Sequence, residues 1–363
     1  MRLDEIRIEE QRLEEYLCLR RFIMKELIKK AAGGQDLTRE EAAQAIKEIL
    51  SGTATQAQAA AYLTALSIKG ETIDEIVGSC EGMKSQGASI TPDKGDYIDF
   101  VGTGGDGSNS FNISTTSMFI CAAAGVPVAK HGNRASSSKS GASDCLEGLG
   151  VNIMLTPEQT LECVNEIGLG FMNAQKFFAA MRFAAPVRKE IGIRTIFNIL
   201  GPLSNPSNAK RQVIGVFDKD FCNVMAKALL AMGTKNALVV YGMDKMDEVT
   251  TTTKTYVNEI KNGKIIEYYI DPSDYDIPYS SKEDLAGGTG EENAQITRDI
   301  LSGKKGPQRD IAVLNAACGI YIGGKANSIA EGVKLAEKAI DSGKAMEKLN
   351  ALIEKTNNFG GNE

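Results

Sequence analysis

The segment YIDFVGTGGDGSNSFNISTT, residues 97–116, joins a short apolar run, a glycine-rich loop and a polar stretch. The run YIDF is typical of a β-strand, and VGTGGDG (Val101–Gly107) adds four glycines and one carboxylate directly after it. Glycines allow positive φ and a close approach of the backbone, so that N–H groups can surround an anion at a strand end. A plain tight turn explains the glycines alone equally well, and the neighbouring residues decide between the two interpretations.

Polar side chains follow this loop at the expected start of a helix. Phosphate is the ligand favoured by hydroxyl and amide donors beside the positive end of a helix. The loop has neither the GKS or GKT of a P-loop nor the GxGxxG spacing of a dinucleotide fold, so a different type of phosphate site is predicted. The donors are Ser110, Asn112, Ser114, Thr115 and Thr116.

A second polar loop, VAKHGNRASSSKSGASD (residues 128–144), combines five serines with Lys130, Arg134 and Lys139. In a chain of formal net charge −6, this concentration of cations and hydroxyls favours a small polyanion over a solvated basic loop. His131 is the only histidine, which excludes a metal site of several histidines. Its position in this loop predicts a positioning role rather than that of an obligate base.

Carboxylates follow another buried-strand pattern in VVYGMDKMDEVTTTT, residues 239–253. Asp244, Asp247 and Glu248 lie just after the apolar run, where oxygen ligands can hold Mg²⁺ that also bridges to phosphates. A polar turn is the alternative. Together with the anion loops, the acidic segment predicts a magnesium pyrophosphate ligand.

Composition limits the classes of protein to be considered. The 363 residues suggest roughly two domains. The net charge of −6 and the pI near 5.3 argue against broad binding to nucleic acid or to an acidic membrane surface. Seven scattered cysteines without a CxxC motif predict reduced thiols rather than disulfides or zinc. The first 23 residues lack the apolar core of a secretion signal, so a cytoplasmic protein is expected.

The chain shows two different secondary-structure patterns. Helical patterns run from residue 24 to about 91, and LTREEAAQAIKEIL opens with a capping box formed by Thr38 and Glu41. From residue 92 to 363, strands alternate with helices, which predicts a largely parallel sheet; the strand candidates are YIDFVG, VPVAKHG, RQVIGVFD, NALVVYG and IAVLNAA. A helical stretch between Gly168 and Pro206 is expected to rejoin the first domain around residues 176–200, with a ligand cleft between the two.

Four motifs, in order, resemble the anthranilate phosphoribosyltransferase family of tryptophan biosynthesis: GTGGDGSNSFNIST, KHGNRASSSKSGASD, APVRKEIGIRTIFNILGPLSNP and MDE. The resemblance implies an α/β fold of the nucleoside phosphorylase type, with a small helical domain beside a larger domain that has a mostly parallel central sheet. It also implies a homodimer, two Mg²⁺ ions per monomer and possible contact with an anthranilate synthase. The implied reaction transfers the phosphoribosyl group of phosphoribosyl pyrophosphate (PRPP) to the amine of anthranilate.

The resemblance also implies residue roles. Metal ligands would be Ser114, Asp247 and Glu248, and anthranilate would meet Gly102, Asn133 and Arg188. No residue is a certain catalyst, and His131 and Arg188 would act as positioning groups, with the planar guanidinium facing the carboxylate of the acceptor. The donor site would comprise Gly102, Gly105, Asp106, Ser110, Asn112, Ile113, Ser114, Thr115, Lys130, His131, Gly132, Asn133, Arg134, Ala135, Ser136, Ser137, Ser138 and Ala142.

The chain departs from the family in FFAAMRF, where Phe178 and Ala179 stand in place of a segment that often carries histidine. Phenylalanine keeps a flat wall for an aromatic acceptor but removes a hydrogen-bond donor. Residues 1–23 lie outside the resemblance and predict a helix of unknown role. The rival interpretations are a transferase or nucleoside phosphorylase of the same fold with another aromatic acceptor, and a non-catalytic relative that binds nucleic acid.

Overall fold

The computed structural model describes residues 23–93, 97–135 and 138–359. The helix expected over residues 1–23 lies outside this part of the chain except for Ile23, as do Ser136 and Ser137. The described chain forms two compact units. One contains the residues up to Ala88 together with Phe178–Ser204, and the other contains Ser89–Phe177 and the chain from Asn205 onward.

Helices begin where the sequence supplies capping residues. The predicted capping box is confirmed: the Thr38 hydroxyl accepts the N–H of Glu41, whose carboxylate accepts the N–H of Thr38. The helices, in chain order, are α1 (residues 23–32), α2 (Arg39–Leu50), α3 (Gln56–Lys69), α4 (Ile73–Lys84), α5 (Ile113–Ala123), α6 (Ala142–Gly148), α7 (Pro157–Ile167), α8 (Ala174–Phe177), α9 (Ala185–Ile191), α10 (Phe197–Leu203), α11 (Asp220–Ala231), α12 (Gly290–Leu301), α13 (Pro307–Ile322), α14 (Ile329–Asp341) and α15 (Lys344–Asn358).

One seven-stranded sheet forms the centre of the second unit, with the strand order β3-β2-β1-β4-β5-β6-β7. The first five strands of this order pair in parallel, and β6 and β7 add an antiparallel hairpin. The strands are β1 (Ile98–Gly102), β2 (Val128–Gly132), β3 (Leu169–Asn173), β4 (Arg211–Gly215), β5 (Asn236–Gly242), β6 (Thr255–Lys261) and β7 (Lys264–Ile270). The fold class predicted from the sequence is confirmed.

The core of this unit explains why its central strands are apolar. Ile98 and Phe100 of β1 are buried in the same cluster as Phe119 of α5 and Leu314 of α13. Parallel strands carry helices against their faces, so β3, which is buried along its whole length, shows no polar alternation. Because the carboxyl ends of parallel strands meet at one edge, the loops after β1, β2, β4 and β5 lie together there.

Three parts of the strand prediction were wrong. IAVLNAA belongs to helix α13, because a short apolar run cannot be assigned to a buried strand or a buried helix by periodicity alone. The stretch from Gly168 to Pro206 is not wholly helical, since it begins with β3. The prediction also missed β6 and β7, although the turn between them carries the Asn-Gly pair of a hairpin, with φ of 53° at Asn262 and 72° at Gly263.

The described cysteines are all buried, and the described helices are not of the membrane-spanning type. In the described chain, Cys80, Cys121, Cys145, Cys163, Cys222 and Cys318 are buried free thiols. Cys18 lies outside the described residues. Among the helices described, none combines the length and the apolar character that crossing a membrane requires.

Candidate active site

Two glycines and one aspartate define the floor of the candidate site. Gly102 at the end of β1 pairs with Gly215 at the end of β4, and Asp247 lies against both. A Cβ atom at Gly102 would lie 2.3 Å from Asp247 Oδ2, and one at Gly215 would lie 1.6 Å from the Asp247 carbonyl oxygen. Only glycine fits at either position. Sequence analysis missed Gly215, and its signal was a glycine directly at the end of a strand.

The glycine loop, residues 101–107, folds over this floor. The N–H of Gly104 donates to Asp247 Oδ2 at 2.7 Å, and the N–H of Asp247 donates to Asp106 Oδ2 at 3.3 Å. Gly104, Gly105 and Gly107 have φ of 67°, 72° and 71°, the left-handed conformation that glycine adopts without strain. The loop after β1 and the turn after β5 are therefore joined through two hydrogen bonds.

Glu248 reaches the start of α5. The N–H of Ser114 donates to Glu248 Oε1 at 3.1 Å, so a carboxylate lies at the positive end of that helix. Lys130 of β2 is buried, and its Nζ donates to Ser114 Oγ at 3.4 Å and to the carbonyl oxygen of Phe100. Residues predicted from three separate motifs thus form one connected network.

Burial and neighbouring charges shift the pKa values of the ionisable side chains in this network. Burial, reinforced by the charge of Asp106, raises the pKa of Asp247 to about 7. Burial and the charge of Asp247 raise the pKa of Glu248 to about 8, although Lys130 and the N–H of Ser114 act in the opposite direction. Burial also lowers the pKa of Lys130 against the pull of Asp99 and both carboxylates. Two neighbouring carboxylates in this environment favour a cation between them.

These residues fit Mg²⁺. The donors are carboxylate and hydroxyl oxygens, which this hard cation prefers, and a divalent charge would relieve the repulsion between Asp247 and Glu248. Within the described residues, no group of three or more acidic, histidine or cysteine side chains forms a complete metal cage. Mg²⁺ commonly keeps several waters and binds one or two carboxylates together with the phosphates of a substrate.

The second polar loop is organised by Asp144 of α6. One carboxylate oxygen of Asp144 accepts the N–H of Ala135 at 3.0 Å and the N–H of Gly141 at 2.8 Å. Arg134 donates to Asp144 at 2.9 Å and to Glu147 at 2.6 and 2.7 Å. The guanidinium expected to attract a polyanion is thus engaged by two carboxylates of the following helix, α6.

Asn112 connects the two loops. Its Oδ1 accepts the Ser140 hydroxyl at 2.9 Å and the Asn293 amide at 2.8 Å, while Asn293 Oδ1 accepts the N–H of Gly288. Sequence analysis missed Asn293, a buried amide inside GEENAQIT, and its signal was a polar residue on the inward face of α12. Ile113 and Thr115 are buried in α5, Ser138 donates to the carbonyl oxygen of Ser140, and Ala142 begins α6 beside Gly132.

A buried hydrogen-bonded pair, Asp99 and His131, lies behind the network. His131 Nδ1 lies 2.6 Å from Asp99 Oδ2, and the N–H of His131 donates to Asp99 Oδ1 at 3.2 Å. Burial disfavours the charged carboxylate, yet His131 and Lys130 hold the pKa of Asp99 below its usual value. Sequence analysis did not single out Asp99, which stands inside the apolar run YIDF.

Arg188 belongs to the helical unit. It lies in α9 with its guanidinium carbon 5.5 Å from the centre of the Phe197 ring, and burial lowers its pKa. In the same unit, Phe178 is buried and Ala179 is exposed. Gly102, Gly105, Asp106, Ser110, Asn112, Asn133, Asp247 and Glu248 belong to the α/β unit.

Comparisons with known proteins agree with this architecture. The family described as "Glycosyl transferase family, a/b domain" matches residues 94–346, and "Glycosyl transferase family, helical bundle domain" matches residues 25–87. The anthranilate phosphoribosyltransferase of Acetivibrio thermocellus is 53% identical over 337 residues, which cover 93% of this chain and 98% of the relative.

Solved structures extend the likeness. The crystal structure of the anthranilate phosphoribosyltransferase from Thermus thermophilus matches with a TM-score of 0.87 and 40% identity, over 91% of this chain and 99% of that one. The enzyme of the same name from Saccharomyces cerevisiae, in complex with PRPP and Mg, matches with a TM-score of 0.85 and 27% identity, over 92% and 98% of the two chains.

Proposed function

The chain belongs to the anthranilate phosphoribosyltransferase family, and from that premise we propose how its residues perform the reaction. The protein transfers the phosphoribosyl group of PRPP to the amine of anthranilate in tryptophan biosynthesis, giving N-(5-phosphoribosyl)anthranilate and pyrophosphate. The observation that best supports the residue roles is the network in which Asp247 and Glu248 contact the glycine loop and the start of α5.

PRPP lies, in this proposal, against the glycine loop and the serine-rich segment after β2. Backbone N–H groups of the glycine loop and the hydroxyls of Ser110 and Ser114 bind its phosphates, because no side chain intervenes at the glycines. Asn112 and Ser140 hold the two loops at a fixed separation. The predicted donor residues, including Ser136 and Ser137 outside the described chain, remain proposals.

Asp247, Glu248 and Ser114 would hold Mg²⁺, and two ions per monomer are our proposal. Bound there, the metal neutralises negative charge that develops on the departing pyrophosphate. Lys130 supports the same site through its contact with Ser114, and the charge of Lys130 balances the two carboxylates. A role for magnesium, without the number of ions, is supported by the Saccharomyces cerevisiae structure, which is in complex with PRPP and Mg.

The acceptor requires positioning more than activation. The aryl amine is neutral at pH 7, so its lone pair can attack C1 of the ribose while the bond from C1 to pyrophosphate breaks and the amine gives up one proton. Gly102 and Asn133 line the acceptor position in this proposal, and Arg188 pairs with the carboxylate of anthranilate. Phe178 supplies an apolar wall where other members often have histidine.

We also propose that the protein is a homodimer. The supporting observation is a groove of about 520 Å³ in the helical unit, lined by small residues of α1 and α3 such as Ala31, Ala61 and Ala65. Ile68 at this groove is 81% exposed and adds a large apolar side chain to the same surface. Light scattering of the parent and of an Ile68→Glu variant tests the assembly. A cytoplasmic location and contact with an anthranilate synthase stay predictions.

Loss of anthranilate fluorescence in the presence of PRPP and Mg²⁺ tests the function. Aniline, which lacks the carboxylate, should be a much poorer acceptor, and Arg188→Ala should reduce this discrimination. If calorimetry shows that PRPP binds but no anthranilate is consumed, the acceptor assignment is wrong. Phe178 would then indicate a different acceptor.

A further inference from the structure

Asn293 is a buried amide of α12 that the proposed chemistry does not yet use. It is 1% exposed, and both polar atoms of its side chain are hydrogen bonded. Oδ1 accepts the backbone N–H of Gly288 at 2.8 Å, and Nδ2 donates to Asn112 Oδ1 at 2.8 Å. A backbone N–H can only donate, so Gly288 fixes which end of the Asn293 amide faces Asn112.

The orientation of Asn293 in turn fixes that of Asn112. Because Asn293 offers an N–H group, Asn112 must present its oxygen. The same oxygen accepts the Ser140 hydroxyl at 2.9 Å, and Asn112 Nδ2 donates to the Ser140 carbonyl oxygen at 3.3 Å. The side chain that connects the two loops is therefore held in one orientation by a residue of α12.

Stability of α5 does not explain this use of Asn112. Asn112 is the N-cap residue of α5, where an asparagine side chain commonly accepts an N–H of the first turn, yet its side chain makes no such bond. Its oxygen accepts hydrogen bonds from Asn293 and Ser140 instead. The arrangement connects the loops at the expense of a helix cap.

The start of α5 is also where the proposed site is assembled. Two residues after Asn112, the N–H of Ser114 donates to Glu248 Oε1 at 3.1 Å, and the Ser114 hydroxyl accepts from Lys130 at 3.4 Å. A displacement of Asn112 would therefore also move the residue that is proposed to bind phosphate and metal.

The chain just before α12 lies along the chain just before α5. The N–H of Phe111 donates to the carbonyl oxygen of Leu285 at 3.1 Å, and the N–H of Gly287 donates to that of Asn109 at 2.9 Å. A Cβ atom at Gly287 would lie 2.6 Å from the backbone of Phe111, so the two chains are in direct contact. The side chain of Asn293 thus completes an attachment that the backbone begins.

We infer that Asn293 is a positioning residue for PRPP: through Asn112, it sets the separation between the glycine loop and the serine-rich segment. This inference rests on the proposed function, which places the donor against both. Asn293 itself touches neither substrate nor metal. Its loss should therefore weaken PRPP binding and leave kcat at saturating PRPP nearly unchanged.

Asn293→Asp tests this role because it keeps the size of the side chain and removes the N–H group that faces Asn112. One carboxylate oxygen still accepts the N–H of Gly288, and the other now meets Asn112 Oδ1. Either the two oxygens repel each other, or the Asn112 amide turns over and its oxygen meets the carbonyl oxygen of Ser140. In both cases a contact of the connection is lost.

Thr297→Val is the matched control on the same pair of helices. Thr297 lies one turn further along α12 and is fully buried, and its hydroxyl lies 2.7 Å from that of Thr116 in α5. The substitution removes a buried hydrogen bond between α12 and α5 that lies outside both loops. Thermal unfolding should show a lower Tm for both variants, whereas only Asn293→Asp should change PRPP binding.

Calorimetry with PRPP and Mg²⁺ and steady-state kinetics measure the difference. Asn293→Asp should raise the Kd for PRPP by about tenfold, the change expected from the loss of one buried hydrogen bond, with kcat within about twofold of the parent. Thr297→Val should keep the Kd within about twofold. An unchanged Kd in Asn293→Asp, an equal rise in Thr297→Val, or a loss confined to kcat overturns the inference.

Amide hydrogen exchange of the full chain gives a readout that does not depend on the reaction. Without ligand, residues 109–114 and 285–288 should exchange faster in Asn293→Asp than in the parent, and at the parent rate in Thr297→Val. If Asn293→Asp does not fold, Asn293→Ala takes its place, since it introduces no buried charge, and should raise the Kd for PRPP by about threefold or more. The parent Kd in that variant refutes the role of Asn293.

These readouts separate the inference from the proposed function. If the parent binds PRPP but consumes no anthranilate, the proposed function fails, whereas the Kd values and the exchange rates still decide the role of Asn293. If the parent is active and Asn293→Asp binds PRPP as the parent does, the function stands and the role of Asn293 is refuted.

Discussion

The glycine loop and the serine-rich segment after β2 both face the proposed donor, but they are stabilised in different ways. The glycine loop has almost no side chains, and its carboxylate partner, Asp247, lies 143 residues beyond Gly104. In the serine-rich segment, Arg134 and Ala135 find their partners within 13 residues, on α6. The first loop therefore depends on the whole sheet, whereas the second is organised locally.

This difference changes where the positive charge of the site is expected. Arg134 is neutralised by Asp144 and Glu147, so the serine-rich segment offers mainly amides and hydroxyls. The buried cation Lys130 and the metal at Asp247 and Glu248 supply the charge instead. Disrupting the long-range contacts should consequently cost far more activity than removing the local ion pairs.

The largest effect is expected from Asp247→Asn/Glu248→Gln. Turnover should fall by about 10³-fold or more, because both proposed carboxylate ligands of the metal are lost from the site where the leaving group gains charge. Anthranilate fluorescence measures turnover, and calorimetry with Mg²⁺ and PRPP measures binding.

Asp244→Asn is the matched control for this change. Asp244 lies in the same turn, but its carboxylate accepts the hydroxyls of Thr250 and Thr252 rather than joining the pair. Turnover within about fivefold of the parent is expected, since only hydrogen bonds within the turn change. Equal losses in the two variants would indicate that the turn acts as a scaffold and not as a metal site.

A smaller effect is expected from Gly104→Val. At φ of 67°, a β-branched residue costs about 1–3 kcal/mol of backbone strain, and the displaced loop should bind PRPP about 100-fold more weakly. A Cβ atom at this position has no neighbour within 4 Å, so the fold has space for the substitution.

Gly263→Val separates strain from function. Gly263 in the β6–β7 turn has φ of 72° and equally open space, so thermal unfolding should report a similar loss of stability. PRPP affinity should stay at the parent value, because this turn carries none of the proposed donor residues. Unchanged PRPP affinity in Gly104→Val would refute the assignment of the glycine loop.

The same contrast explains what the sequence could predict. A strand, a glycine loop and a helix follow one another locally, so their order was readable from residues 97–116, and MDE was correctly placed after a strand. The contact of Gly215 with Asp247 was not predictable, since it depends on the pairing of β4 beside β1. The neutralisation of Arg134 was missed for a different reason: the loop sequence was assessed without the acids of the following helix.

The pH dependence of stability distinguishes the two loops further. Because the pKa of Asp247 is raised to about 7 and that of Glu248 to about 8, the folded protein retains protons that the unfolded chain has lost. Without metal, the free energy of unfolding should therefore decrease as the pH rises from about 5 to about 8. Apparent Mg²⁺ affinity should increase over pH 6 to 8, by roughly tenfold per pH unit for each proton displaced.

Thermal unfolding with and without Mg²⁺ checks this dependence, and the Asp247→Asn/Glu248→Gln variant should remove it. Asp144 should make no contribution in this range. Burial raises its pKa, but the N–H groups of Ala135 and Gly141 and the Arg134 guanidinium outweigh that and hold the pKa below its usual value. A pH profile that survives in the double variant would assign the titration to other groups.

The smallest effect is expected from Arg134→Ala. The Arg134 side chain is 40% exposed and pairs with carboxylates of the following helix, α6, so its removal should change the KM for PRPP by less than about threefold. Asp144→Ala should raise that KM by roughly tenfold, because the N–H groups of Ala135 and Gly141 lose their shared acceptor and the loop loses its shape. If Arg134→Ala instead weakens PRPP binding more than Asp144→Ala does, the guanidinium leaves its ion pairs to meet the donor. The serine-rich segment would then bind PRPP through the charge of Arg134. It would differ from the glycine loop because its cation becomes available only when the ion pairs with α6 break.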